Sequence, residues 1–386
     1  MKIKRILERT VPISRYADPS IPSGGLDTSI VAVVTDRIVD GAPIVGYGFA
    51  SIGRFGQGGL IRERFAPRLL AAPDCLGDPP DPFRAWRVMM TGEKPGGHGE
   101  RSVAVGTLDM AIWDACAKAA GLPLYRCIQR HLDRESEIES VPVYAGGGYY
   151  FPEDDGARLR DEMQMFAANG FTHAKIKIGG KAIAEDVRRI ETAMDVLGGG
   201  DCLAVDAIYS YDHDEALAAA DEIEQFGLWW FEDICDPLDF ETIAAVIERY
   251  RSAVAVGEAQ FSIPDARNLI RYSRLRPDRD ILLFDIAHSY GLPEYLGILR
   301  MAEALGWDRK SFFPHGGHLF TLHAVAALGL GGAEINPHNF QPFGGLTDDA
   351  RVVDGHALPP ELPGIGFEGR TALADLFHDL LKEAGR

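Results

Sequence analysis

Hydrophobic positions change rhythm twice along this chain. Two β-branched runs open it, SIVAVVTDRIV at 29–39 and APIVGYGFA at 42–50. Asp40-Gly41 joins them, a dipeptide that tolerates the left-handed backbone of a hairpin turn. Helical spacing follows over 60–70 and 102–120, the second stretch stopped by Gly121 with Pro123 just beyond. Together these predict a small α+β unit over residues 1–138. From residue 141 the texture is different. Short apolar runs alternate with helical periodicity: VPVYAGG, HAKIKIGG, CLAVDA, LWWFED, AVAVGEA, ILLFDIA and SFFPHGG, with ALGLGGAEI as an eighth that doubles as a helix end. Seven or eight such units predict a (β/α)8, TIM-like barrel over residues 139–335 rather than an open sheet. Residues 336–386 lack this rhythm in their last forty positions, which are rich in Gly and Pro. They are expected to pack back on the N-terminal unit and complete it as a cap.

Several runs end on a polar or charged residue: Lys177, Asp206, Glu232, Glu258, Asp285, His315 and Glu334. A barrel gathers the C-terminal ends of its strands at one rim, so these side chains are expected to converge there. Asp206, Glu232 and Glu258 are separated by 26 (232 − 206) and 26 (258 − 232) residues, one strand–helix unit each. A lone strand-end acid is often a helix cap or a solvated turn residue. Three in register on consecutive strands instead suit Mg2+, a hard ion that takes oxygen ligands.

Lys175 and Lys177 stand two apart in HAKIKIG, so in a strand both point to the same side. The other side (Ala174, Ile176, Ile178) is apolar, which leaves no solvent face and turns both lysines into the barrel. Two adjacent cations beside a metal are expected to lower one lysine's pKa toward the range of a general base. His315 closes one run and Asp285 the run before it, a pairing that would hold the imidazole charged as a general acid. His318, three residues further on, reads as structural. Gly46-Tyr47-Gly48 fails the dinucleotide fingerprint, and GEKPGGHGER lacks a P-loop ending. Lys94, within that stretch, is a candidate anion ligand.

Composition narrows the partners. With 57 acidic and 39 basic residues the net charge is −18, a field that repels nucleic acid and anionic membrane. A small anionic substrate is compatible if a metal and local cations reverse the field inside the site. Five scattered cysteines form no disulfide or metal pattern. No apolar run approaches the roughly 20 residues of a membrane span, and no signal peptide is evident, so a cytoplasmic protein is expected. The expected partners are a carboxylate substrate and further copies of the chain, a homo-oligomer.

The motifs KIK, VDA, WWFED, AVGE, LFD and PHGG resemble, in that order, the barrel motifs of the enolase superfamily, mandelate racemase subgroup. GRFGQGGLIRERFA, EKPGGHGERSVAVGT, LRPDRD and ELPGIGFEG are similar to those of its D-tartrate dehydratase branch, and the likeness spans nearly the whole chain. The resemblance implies Asp206, Glu232 and Glu258 as Mg2+ ligands, Lys177 as the base tuned by Lys175, and His315 as the acid oriented by Asp285. Lys94, Glu334 and Arg54 complete the expected substrate-binding set. The implied activity is a hydro-lyase: α-proton abstraction from a hydroxy-acid or sugar-acid carboxylate, then loss of the β-hydroxyl to give a 2-keto acid. A racemase or epimerase on the same residues is the alternative, and a non-catalytic metal- and anion-binding relative the more distant one. Ile52, before Gly53-Arg54, and Ile208, in Asp206-Ala207-Ile208, stand where the resemblance leads one to expect Asn.

Overall fold

The computed structural model describes residues 1–134, 136–138 and 140–383. The unit boundary expected at 138/139 falls at Glu139, outside the described residues, as do 384–386 of the C-terminal segment. Three antiparallel strands open the chain in the order β1 (Ile3–Pro12), β2 (Asp27–Val39) and β3 (Ala42–Phe49). Between β2 and β3, Asp40 (φ 50°) and Gly41 (φ 81°) are both left-handed, the backbone of a type I′ hairpin.

The helix Glu100–Ala119 lies across this sheet, and every residue from Ser102 to Ala117 is buried. A Cβ at Gly46 or Gly48 would overlap the helix backbone at Ala111 and Thr107. These glycines therefore permit close helix–sheet approach rather than phosphate binding. The same helix ties three parts of the molecule together. Asp109 accepts the Leu292 N–H (2.8 Å) from the barrel, while Asp114 accepts N–H groups from Tyr47 (2.9 Å) in the sheet and Ile365 (2.7 Å) in the C-terminal segment. The GEKPGGHGER loop is pinned by arginines. Arg64, Arg68 and Arg101 converge on the buried carboxylate of Glu93 at 2.8, 2.8 and 3.2 Å.

Parallel strands follow: β4 (Val141–Gly146), β5 (Ala174–Lys177), β6 (Leu203–Asp206), β7 (Trp230–Glu232), β8 (Ala253–Val256), β9 (Ile281–Leu282) and β10 (Ala333–Ile335). Each pairs with the next from β4 to β9, and β10 returns to pair with β4. Residues 312–315 fill the gap between β9 and β10. Phe313 and His315 donate N–H groups to Leu282 O (3.0 Å) and Leu283 O (3.1 Å), and Gly331 N–H reaches Phe312 O (2.9 Å). The ring is a (β/α)8-type barrel with helices between successive strands.

The C-terminal segment differs from expectation in one respect. It contains a helix, Thr371–Glu383, whose Phe377 stacks on Tyr47 of β3 (centroids 4.5 Å) and whose Glu383 pairs with Arg9 of β1 at 2.7 Å. Glycine and proline upstream masked its short amphipathic repeat. Among the described residues no helix is long and apolar enough to cross a membrane.

Candidate active site

Strand register sets the floor of the barrel mouth. Lys177 pairs with Asp206, and Asp206 with Glu232, so three consecutive strands bring these side chains to one level. Lys175 is 1% exposed. Its ammonium contacts Glu232 and lies 3.2 Å from Glu334 and 3.5 Å from Asp206. Lys177 contacts Asp206 directly, and its Nζ sits 5.2 Å from the centre of the Tyr149 ring. Trp230 Nε1–H donates to the second Glu232 oxygen at 2.7 Å.

Glu258 stands outside this level. The register partner of Glu232 is Ala255, and β8 ends at Val256, so Glu258 sits on the turn beyond Gly257 (φ 132°). Its carboxylate lies 3.4 Å from His315 Nε2. The tight cluster, with ligand atoms within 4.8 Å of one another, is Asp206, Glu232 and Asp233. Asp233 went unread in the sequence, where it appeared only as the second acid of WWFED. It is buried, left-handed (φ 44°), and one carboxylate oxygen has no hydrogen-bond partner. Asp206, Glu232, Asp233, Glu258 and Glu334 together face Lys175, Lys177 and His315. Five acids against three bases, with an orphaned buried oxygen among them, fit a divalent cation with oxygen ligands.

The carboxylates of the cluster set the electrostatics of the two lysines. Burial opposes the charge on Lys175, but Glu232 and Glu334 outweigh it and hold its pKa well above the ordinary lysine value. Burial likewise opposes Lys177, Asp206 overrides it, and the Lys177 pKa rises rather than falls. The depressing effect of Lys175 is present but smaller. Burial works to raise Asp206, and the two lysines pull it below the usual carboxylate range. For Asp233, burial and the repulsion of Glu258 and Glu232 act together and push the carboxyl far up.

The opposite wall is built on one imidazole. His315 Nδ1 is 2.8 Å from Asp285 Oδ2, as the sequence implied. Ser51, from the loop after β3, donates its hydroxyl to the same oxygen at 2.7 Å, and the His288 backbone N–H donates to Oδ1 at 2.9 Å. Ser51 Oγ also lies 3.1 Å from His318 Nε2, while His318 Nδ1 faces the Thr321 N–H as a weak cap (3.5 Å) of the helix Leu319–Leu328. Burial disfavours the charged form of His315, but Glu258 and Asp285 override it and raise its pKa to about 9. His315 is therefore an imidazolium at neutral pH. His318 moves the other way, burial lowering it to about 4.

Both walls line one cavity of about 450 Å³, within the usual range for small-molecule sites. Its inner surface includes Lys175, Lys177, Asp206, Glu258, His315 and Glu334. Ile52, Arg54 and Arg15 close it from the N-terminal loops, and Ile208 from the rim. Neither Arg15 nor Arg54 forms an ion pair among the described residues, and Arg54 rests over the Phe261 ring at 4.7 Å. Lys94 does not line this cavity. It is exposed on its loop, where its backbone carbonyl accepts from Arg101 at 3.0 Å. A larger groove of about 1120 Å³ runs along the C-terminal segment, but its acids Asp348, Asp349 and Asp354 are exposed.

Fold and mouth define a class: a (β/α)8-barrel protein with a buried lysine pair, a His–Asp pair and a carboxylate cluster at its C-terminal rim. Residues 158–373 match the enolase C-terminal domain-like family, and the chain belongs to it. An arabinonate dehydratase from Saccharolobus solfataricus is 28% identical over 281 residues, 71% of this chain and 73% of that protein. An L-talarate/galactarate dehydratase from Salmonella typhimurium is 29% identical over 342 residues, 87% of this chain and 80% of that protein. The solved structure of an L-talarate dehydratase from Polaromonas sp. JS666, complexed with Mg and L-glucarate, aligns with a TM-score of 0.70 at 26% identity over 94% of each chain.

Proposed function

We propose that this protein is a Mg2+-dependent dehydratase of hydroxy-acid or sugar-acid carboxylates. The observation that carries this reading is the meeting in one cavity of a buried lysine pair on β5 and a charged His315–Asp285 pair three strands away around the ring. Asp206, Glu232 and Glu258 would hold the ion, with the unsatisfied Asp233 oxygen beside them. Bound there, it would offset the negative charge that builds on the substrate carboxylate as its α-proton leaves.

Lys177 takes the α-proton. Its contact with Asp206 keeps it protonated, so it becomes a base only when Asp206 is engaged elsewhere. Lys175 then acts on it with less opposition and lowers its pKa. His315 delivers a proton to the departing β-hydroxyl, which leaves as water, and the enol ketonises to the 2-keto acid. Asp285, held by Ser51, keeps the imidazole oriented and charged.

Arg15 and Arg54 lie at the cap end of the cavity with no carboxylate partner among the described residues and suit a distal anion, so an acid with a second carboxylate is the favoured substrate. D-tartrate is a poor fit. Ile52 and Ile208 offer no hydrogen bond where a small diacid would need one, and an unpaired buried polar group costs on the order of 1–3 kcal/mol. Purified protein with Mg2+ should convert at least one acid sugar in a library to a 2-keto acid, with D-tartrate weak or inert. Racemisation without 2-keto acid would support the epimerase alternative instead. D-tartrate as the best substrate by a wide margin would remove the role given to the two isoleucines.

A further inference from the structure

His288 is a buried group of the histidine wall that the acid–base chemistry leaves unused. It is 2% exposed, and among the described residues neither ring nitrogen has a hydrogen-bond partner. A buried imidazole normally has at least one nitrogen satisfied. Its Nδ1 points at Asp285 Oδ2 from 3.5 Å, and its ring stacks on that of His315, centroids 5.7 Å apart at 29°. The same Asp285 oxygen lies 2.8 Å from His315 Nδ1 and 2.7 Å from Ser51 Oγ. One carboxylate oxygen thus faces two imidazoles and a hydroxyl, and ligand atoms of Asp285, His288 and His315 fall within 4.8 Å of one another.

These separations match a particular coordination. Around a tetrahedral Zn2+ with bonds of about 2.0–2.1 Å, neighbouring ligand atoms stand about 3.3 Å apart. The two separations from Asp285 Oδ2, 2.8 and 3.5 Å, bracket that value, and the ligand atoms of the two imidazoles lie within 4.8 Å of each other. Two imidazoles and one carboxylate favour Zn2+, Co2+ or Ni2+ over Mg2+, which prefers oxygen ligands in an octahedron.

We propose that Asp285, His288 and His315 form an inhibitory zinc site, separate from the carboxylate cluster on β6 and β7, with the Ser51 hydroxyl or a water as fourth ligand. Binding displaces the proton on His315 Nδ1 to solvent and leaves the ring neutral and fixed. The acid of the reaction is then lost while the Mg2+ ligands stay in place. The inhibition rests on the role proposed for His315; the binding does not.

The test is a calorimetric titration of the protein with ZnCl2 in excess Mg2+, run beside the turnover assay. One further Zn2+ per chain should bind, and turnover should fall as it does. Co2+ in its place should give the strong visible absorption of a four-coordinate nitrogen–oxygen site. His288→Gln should weaken zinc binding by about 10–100-fold and relieve the inhibition, with Mg2+ affinity unchanged. Where that variant does not fold, the cobalt spectrum of the unmutated protein decides. No zinc uptake in excess Mg2+, a purely octahedral cobalt spectrum, or zinc affinity unmoved in a folded His288→Gln would each overturn the proposal. Zinc bound through His288 in a protein that dehydrates no acid would uphold the site and sink the proposed function alone.

Discussion

The two walls of the cavity hold charge in opposite ways. On β5, β6 and β7 the charges meet each other directly: Lys175 against Glu232 and Glu334, Lys177 against Asp206. Each charge quenches its neighbour, and the lysine that should be a base is held protonated. Across the cavity one imidazolium is supported by successive hydrogen bonds, His315 to Asp285 to Ser51, with His318 beyond. That wall is ready to donate a proton as it stands. Under the proposed function a bound cation would draw the acids away from the lysine wall, while the histidine wall needs no such change. One wall is thus held by successive hydrogen bonds and the other by direct ion pairs.

Removing the active group from each wall should separate the two halves of the reaction. Lys177→Ala is expected to abolish both α-proton exchange in D2O and 2-keto-acid formation, a loss of at least about 10²–10⁴-fold, the usual worth of a general base. His315→Asn should lose elimination by a similar factor yet still exchange the α-proton through Lys177. NMR of the recovered substrate reads exchange, and a keto-acid assay reads elimination. Normal elimination in Lys177→Ala, or exchange lost together with elimination in His315→Asn, would erase the division between the walls.

The walls also differ in how pH reaches stability. His315 titrates near 9 in the folded protein against about 6.5 unfolded. Its contribution is complete below pH 6.5 and is lost as pH rises through about 9, a change on the order of 3 kcal/mol. Asp285 titrates below its ordinary value, so its contribution is present above about pH 4 and lost on acidification. In chelator-treated protein, denaturant unfolding should show the unmutated chain losing stability between pH 6.5 and 9 relative to His315→Asn. Parallel curves across that interval would mean His315 is not held charged.

Much of this was legible in the sequence because strand periodicity is rigid. Residues two apart in KIK must share a face, and acids one strand–helix unit apart must reach one rim. Lys175, Lys177, Asp206 and Glu232 accordingly meet where the pattern puts them. Glu258 escaped because equal spacing along the chain is not equal register: it lies past the end of β8, and the level it was expected to fill is held by Ala255. Arg15 at the mouth, and Ser51 and His288 behind it on Asp285, carried no signal, since each comes from a loop whose path depends on tertiary packing. The ion pairs around Lys177 were illegible for a similar reason. Sequence shows which lysines are adjacent and is silent on the number of carboxylates that fold against them.

The smallest expected effect separates the two isoleucines at the cavity's edge. Ile208 has a left-handed backbone (φ 48°), its N–H donates to Asp206 Oδ1 at 2.9 Å, and its side chain is 47% exposed. A β-branched residue in that conformation costs about 1–2 kcal/mol, whereas Asn adopts it readily. Because half the side chain is already in solvent, little burial is lost on replacement. Ile208→Asn should therefore stabilise the protein by about 1 kcal/mol, with the Asp206 turn intact. Ile52 is the contrary case. It is 2% exposed and packed in the core, so Asn there would bury an amide among apolar neighbours. Ile52→Asn should destabilise by about 1–3 kcal/mol. Urea midpoints of the two variants should move in opposite directions. If both fall, the turn at Ile208 is held by the Asp206 hydrogen bond strongly enough that its backbone strain does not register, and the rim is as rigid as the wall beneath it.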